Sequence, residues 1–377
     1  MRLTLQVPAW ATALASDLTD MDRDPQPVAP GETVEYELPD DVYFQYAFVD
    51  EDGKLRPDPA GAEKVASVWY GEVSVVKGPD YQRSELAEVA NEPERGKTDR
   101  LRLEPVAGEG PPWRVTVFTP ATAAGAEASE LPLVIAQDGV AFFRIGKAHL
   151  IAGVLAERGE ARPARFAFIE PHDRDREYGF AEDQHEASHE AHLDAYQRFL
   201  AERLEPELSA RYPSTPERIY LGGSLGALAS ARAAIGRTRR DPGLAGATTV
   251  LSFSGAFLGA PGDPDYYRST RSWLLDMVRD PAVTVPARWY LEVGTLEWLL
   301  AVNRDIAAAL ASRPGVTATL TERSAGHNWT SWRNGLADGL RFALAPDAPA
   351  HDAQASDAPA ASTPARDAPA TNTKEVL

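Results

Sequence analysis

The sequence predicts a mixed α/β protein, in which a domain built on a mainly parallel sheet follows a small antiparallel β-sandwich. Three observations carry this expectation. Between residues 98 and 346, short apolar strands alternate with amphipathic helices, which implies a parallel sheet covered on both faces. The first 79 residues alternate apolar and polar side chains and hold no helical period. A serine flanked by glycines also stands where an apolar strand gives way to a helix of small residues.

In the N-terminal part, "TVEYEL" (33–38) and "VYFQYAFVD" (42–50) read as strands separated by the turn formers Pro39, Asp40 and Asp41. "VASVWYGEVSVV" (65–76) supplies a further strand pair about Gly71. Residues 80–97 are polar and charged and read as a linker. The domain from 98 to 346 then proceeds through the strands "PPWRVTVFTPA", "LPLVIAQDG", "ARFAFIEP", "RIYLGG", "TTVLSFSG", "ARWYLEVG" and "VTATLTE", with helices between them. Residues 347–377 are dominated by alanine, proline, aspartate and serine, cannot bury enough to offset chain entropy, and are expected to be disordered.

Composition narrows the function classes. A chain of 377 residues has ample length for a buried core. The net charge of −18 argues against nucleic acid, whose phosphates need a basic face. No apolar run approaches membrane-spanning length, so no membrane partner is expected. The opening "MRLTLQVPAWATALASDLTD" carries one basic residue and an interrupting proline; it does not read as a signal peptide, and a cytoplasmic location is expected. The absence of cysteine removes thiolate catalysis, disulfides and thiolate metal sites together.

The serine is Ser224, within Gly222-Gly223-Ser224-Leu225-Gly226, a G-x-S-x-G run between the strand "IYL" and the helix "LGALASARAAIG". In the elbow this motif describes, the glycines relieve crowding at a strained strand-to-helix turn and the hydroxyl is lifted above the sheet. A plain turn with a buried serine would share the pattern, but the strand and helix on either side are the context the motif requires. A serine hydroxyl needs a base, and the α/β-hydrolase chain order of serine, acid, histidine places that base after the last strand. His327 in "TERSAGHNWTSW" stands there. The acid belongs after the preceding strand, where Glu297 of "GTLE" is the first candidate and Glu292 the alternative. Glu297 could instead complement a helix dipole. Oxyanion donors would be the backbone amides of Leu225 and of Gly139 or Val140. No cofactor is required for such chemistry, and the partner expected is a small-molecule ester.

Taken together, "QDGVAFFR", "FIEPHDRDREY", "RIYLGGSLGALAS", "LEVGTLEWLLAVNRDIAAAL" and "GHNWTSWRNGL" resemble the putative-esterase superfamily, and within it the enterochelin (ferric enterobactin) esterase branch. "YAFVDEDGKLRPDPAG" followed by "WYGEVSV" resembles the early-set immunoglobulin-like domains that precede the catalytic domain in that branch, and the related glycogen-binding modules. The resemblance implies an α/β-hydrolase that cleaves esters, with Ser224, Glu297 and His327 at the triad positions. It implies a cyclic siderophore trilactone as substrate and an N-terminal domain that helps form the cleft. The sequence departs from the branch in the long acidic segment "GFAEDQHEASHEAHLDA".

An anionic catecholate would need a basic pocket, for which Arg144, Lys147, Arg174 and Arg176 are candidates. Pairing of Arg174 and Arg176 with Asp173, Asp175 and Glu177 is the competing use. Trp329, one turn from Trp332, could wall the acyl pocket, but these two and Phe142 and Phe143 read first as core. Other function classes stay open. "HEASH" formally matches H-E-x-x-H, with His185, His189 and His192 as zinc ligands and Glu186 as base, but its polar surroundings suit a solvated helix better. A glycan- or polymer-binding protein would use Tyr43, Tyr46 and Trp69 as a stacking surface. Within the esterases, a carbohydrate-linked acyl group or a small ester is the runner-up substrate.

Overall fold

The computed structural model describes residues 1–346, apart from 62, 92–95, 107–109, 122–130, 180–193, 261–262 and 264–268. The Ala/Pro/Asp-rich tail and the histidine-rich segment with its H-E-x-x-H match lie outside the described residues.

The larger sheet contains eight strands: β9 (Gly96–Leu103), β10 (Trp113–Pro120), β11 (Leu133–Ala136), β12 (Arg165–Glu170), β13 (Arg218–Gly223), β14 (Thr248–Phe253), β15 (Arg288–Gly294) and β16 (Thr317–Arg323). Their spatial order is β16-β15-β14-β13-β11-β12-β10-β9. β11 to β16 run parallel, and β10 and β9 add an antiparallel edge beside β12. The protein thus has a mixed α/β fold with a mostly parallel sheet. Every residue of β11, β13 and β14 is buried, as expected of strands covered on both faces.

One face packs under the helices Leu225–Arg240 and Leu300–Ala311, with Trp113, Phe199, Tyr220 and Trp289 in the core. The other packs under Gly139–Arg144, Ala148–Glu157 and Trp329–Ala343, around Phe142, Phe166, Phe168 and Trp332. Leu86, from the polar stretch read as a linker, is buried in this second core. Among the described residues, no helix is long and apolar enough to cross a membrane.

The strands within residues 1–77 pair only antiparallel. β1 (Arg2–Gln6) pairs with β4 (Thr33–Glu37). A second sheet runs β3 (Gln26–Pro27), β2 (Ala13–Ser16), β5 (Tyr43–Val49), β8 (Gly71–Lys77), β7 (Glu63–Ser67), with β6 (Leu55–Arg56) paired to β5. Gly71 takes φ +76 where β7 turns into β8, a conformation that favours glycine. β2 and β3, of four and two residues, are too short to carry a clear sequence signal. Leu5, Leu14, Val34, Phe44, Tyr46 and Phe48 form the core between these strands. At its start β5 also reaches the large sheet: the Tyr43 N–H donates to the Ser324 carbonyl at 2.8 Å, just past β16.

Candidate active site

In a parallel sheet the carboxyl ends of all strands open on one edge, and that edge is where side chains from distant segments can meet. Here it gathers Asp138 after β11, Ser224 after β13, Ser254 after β14, Glu297 after β15 and His327 after β16.

Ser224 has φ 55 and ψ −126, a conformation costing a non-glycine residue about 1–3 kcal/mol. The neighbouring sequence makes room for it. A Cβ on Gly222 would lie 2.1 Å from the Gly226 carbonyl oxygen, and one on Gly226 would lie 2.8 Å from Asp138 Oδ2. The Ser224 N–H donates to the Phe253 carbonyl at 2.8 Å, and its carbonyl accepts the Ala256 N–H at 3.2 Å, so β14 braces the bend. The following helix, Leu225–Arg240, begins with amides that have no carbonyl partner within the helix. The hydroxyl of Ser224 makes no hydrogen bond with any described side chain, His327 included.

His327 Nδ1 lies 2.7 Å from Glu297 Oε2. The Glu297 side chain is almost fully buried, with its other oxygen accepting the Ser254 hydroxyl at 2.5 Å and the Gly294 N–H at 2.8 Å. Ser254 in turn accepts the Trp332 indole N–H at 2.8 Å. The result is a hydrogen-bonded line from Trp332 through Ser254 and Glu297 to the imidazole, each member fixed by the next. Three tryptophan rings surround that imidazole: Trp298 at 4.9 Å, Trp332 edge-on at 5.0 Å, and Trp69 stacked at 5.9 Å. Trp332 also lies under the elbow, its ring 2.9 Å from where a Gly223 Cβ would be. One indole therefore touches both the serine turn and the histidine.

Glu292, the alternative acid, turns to the other side of β15. Its carboxyl, pushed up to about 7 by burial, pairs with Arg323 at 2.9 Å and accepts the Tyr290 hydroxyl at 3.0 Å. It abuts Gly335 in the helix Trp329–Ala343, where a Cβ would lie 2.0 Å from a carboxyl oxygen.

Gly139 opens the helix Gly139–Arg144, and a Cβ there would strike the Phe168 and Ile169 backbone at 2.4 Å. The Asp138 N–H before it is taken by the Tyr178 hydroxyl at 3.0 Å, whereas the neighbouring Val140 is 45 % exposed. The Asp138 carboxylate receives a two-pronged pair from Arg174 at 2.8 and 2.9 Å, and Arg174 also donates to the Gly223 carbonyl at 3.3 Å. Arg174 thereby ties the Gly139 loop to the elbow. Arg176 pairs with Asp173 at 3.5 Å on the surface. Arg144 lines a cleft of about 870 Å³ with Arg100, Arg102 and Arg114, which opens beside Gly139. Lys147 takes φ 54 ahead of the helix Ala148–Glu157. Trp329 is buried against Phe142 and Trp332, at 5.0 and 4.9 Å. In the N-terminal sheet Tyr43 and Tyr46 are buried, while Trp69 stays 43 % exposed over the histidine.

Sequence reasoning did not find Ser254, Trp298 or the placing of Trp69. Ser254 directly follows the fully buried strand β14 and takes a positive φ of 48°, but β14 itself holds Thr248, Thr249 and Ser252, so the sequence alone gives it no distinguishing signal.

A family model described as "Putative esterase" matches residues 110–343. No match was found among curated proteins. Among solved structures, ferric enterobactin esterase from Salmonella typhimurium aligns at TM-score 0.65 and 16 % identity, over 90 % of this chain and 92 % of that one. Enterobactin esterase from Shigella flexneri, in the presence of enterobactin, aligns at TM-score 0.63 and 19 % identity, over 90 % and 91 %. A ferulic acid esterase aligns at TM-score 0.50 and 17 % identity, over 67 % of this chain and 98 % of its own. At these identities the likeness is one of fold.

Proposed function

This chain belongs to the putative esterase family, and from that premise we propose that it hydrolyses carboxylic esters through an acyl-enzyme on Ser224. The observation that carries the reading is the buried Glu297 carboxylate held 2.7 Å from His327 Nδ1, at the same sheet edge as a serine on a strained elbow. With Nδ1 committed to Glu297, Nε2 is the ring nitrogen left to take the proton of the Ser224 hydroxyl. The freed oxygen attacks the ester carbonyl, and the Leu225 and Gly139 amides receive the charge that forms on the carbonyl oxygen. Collapse of that adduct breaks the C–O bond, and the imidazolium returns its proton to the departing alcohol. Water then repeats the sequence on the acyl-enzyme and frees the acid.

For the substrate we favour siderophore trilactone esters over carbohydrate-linked acyl groups. The support is that the enterobactin esterase folds align along 90 % of the chain, whereas the ferulic acid esterase aligns along 67 %. On this reading residues 1–79 are an immunoglobulin-like sandwich, residues 98–346 an α/β-hydrolase domain, and Trp69 and Arg144 contribute to substrate binding. The test is a panel of p-nitrophenyl esters and ferric and iron-free catecholate trilactones, run with Ser224→Ala beside the wild type. Ser224→Ala is expected to lose about 10⁴-fold or more in kcat while unfolding at the wild-type temperature. Retained turnover at unchanged stability would defeat the assignment.

A further inference from the structure

The loop that carries His327 is held from the N-terminal region as well as from its own sheet. Tyr43 donates its N–H to Ser324 and forms a bridge with Ala325, and its hydroxyl donates to Thr330 Oγ1 at 3.3 Å. Between these contacts lies Asp17, buried to 5 % exposure at the start of the 3₁₀ turn Asp17–Thr19, which Ser16 caps. Asp17 Oδ2 accepts the Gln45 N–H of β5 at 2.7 Å. The same carboxyl packs against Gly326, one residue before His327. The approach is so close that a Cβ on Gly326 would lie 2.1 Å from Asp17 Cγ. A buried carboxyl is costly wherever its oxygens lack donors, and here the Gln45 amide supplies one from a segment far off in the chain.

The geometry points to Asp17 as a positioning residue for the proposed catalytic base: its carboxyl holds the Gln45 amide and packs against Gly326, and so fixes the loop on which His327 rides. The inference rests on the serine-esterase reading above. Asp17 touches neither substrate nor imidazole in this role; it acts through the backbone of Gly326.

The role has a pH signature. Burial pushes the Asp17 carboxyl up to about 8, helped by the charges of Glu297 and Asp20 and opposed by the backbone of Gln45 and Gly326. Asp22 and Arg23 of the same segment, Tyr43 of β5 and Tyr70 of the β7–β8 turn are the other titratable or charged groups that bear on this cluster. Because the folded value lies above the ordinary 3.8, the stability that neutral Asp17 contributes is complete below pH 3.8 and is lost as pH rises to about 8. Above pH 8 the group is a buried anion facing Glu297, and release of the loop into water relieves it.

The experiment measures kcat, KM and their pH profiles on a p-nitrophenyl ester for wild type, Asp17→Ala, Asp17→Asn and Ser224→Ala. Asp17→Ala is expected to lower kcat about tenfold to a hundredfold with KM within about threefold, as a misplaced base does. Asp17→Asn keeps one acceptor and should recover part of that loss. Wild-type kcat should decline through about pH 8, a limb that Asp17→Asn lacks. Wild-type kcat in folded Asp17→Ala, or the same alkaline limb in Asp17→Asn, overturns the role. Should Asp17→Ala not fold, the Asp17→Asn profile decides alone. Full turnover in Ser224→Ala would instead sink the esterase reading, whereas an inert Ser224→Ala beside wild-type-like Asp17 variants sinks only the positioning role.

Discussion

The serine elbow and the histidine loop stand at ends of the same sheet, yet they are held by different kinds of contact. At the elbow, the atom that forbids a side chain on Gly222 belongs to Gly226, four residues on. The strand before it and the helix after it form the bend, β14 braces it, and Trp332, Asp138 and Arg174 close around it. In the histidine loop, Gly294 of β15 presses on the Ala325 carbonyl, and Gly326 presses on Asp17 from the opposite end of the chain. Even Glu297 is steadied from elsewhere, by Ser254 just past β14 and, through it, Trp332. The bend at Ser224 is thus set first by its own stretch of chain, whereas the placing of His327 is set by segments far apart.

Four substitutions test that contrast. The largest effect is expected from Glu297→Gln, because a neutral amide facing Nδ1 favours the wrong ring tautomer; kcat should fall about 10³- to 10⁴-fold with little change in melting temperature. A loss below tenfold would mean the histidine loop works without its buried partner. Gly222→Ala comes next. Its methyl group meets backbone that cannot retreat without unbending the elbow, so kcat/KM should drop about 10³-fold and stability by about 1–3 kcal/mol in a urea titration. Gly326→Ala meets a side chain instead, and should cost only about tenfold in kcat. Combined with Asp17→Ala it should be less harmful than the two losses multiplied, since the second change clears space for the first, with a coupling of about 1 kcal/mol. Equal damage from Gly222→Ala and Gly326→Ala, or strict additivity of the pair, would erase the distinction drawn here.

The same contrast explains what could be read from the sequence. β11, β13, β14 and β15 announce themselves as apolar runs because both faces are buried, and G-x-S-x-G marks the elbow because its constraint is local. Glu297 and His327 follow from chain order, which places each after its strand. What holds them does not. Ser254 meets Glu297 across two strand ends, and no periodicity records which strand lies next to which. Arg174 was expected beside Asp173, Asp175 or Glu177, yet it pairs with Asp138, while Arg176 does take Asp173. Asp173 and Asp175 are immediate neighbours that do not face Arg174 on the helix, and Glu177, three residues on, is taken by the Trp113 indole and the His172 amide. Asp17 belongs to a region whose alternation tells only which face is buried, not which loop will be laid against it.

The smallest expected effect concerns Trp69, which stacks on the imidazole from the turn between β7 and β8 while remaining 43 % exposed. It resembles Asp17 in coming from the N-terminal region, but it differs in how it could act. Trp298 and Trp332 flank the same ring at 4.9 and 5.0 Å and stay in place when Trp69 is removed, so the histidine keeps most of its packing. An exposed ring at that position is instead available to a substrate's own aromatic or apolar group, a contact worth about 0.5–1.5 kcal/mol. Trp69→Ala should therefore leave kcat within about twofold, while raising KM about threefold to tenfold for aromatic acyl esters and leaving it nearly unchanged for acetyl esters. If kcat fell instead, by as much as in Gly326→Ala and for both kinds of ester, the indole would belong with Asp17 among the contacts that hold the loop. The N-terminal region would then act on the base alone and have no part in recognising the ester.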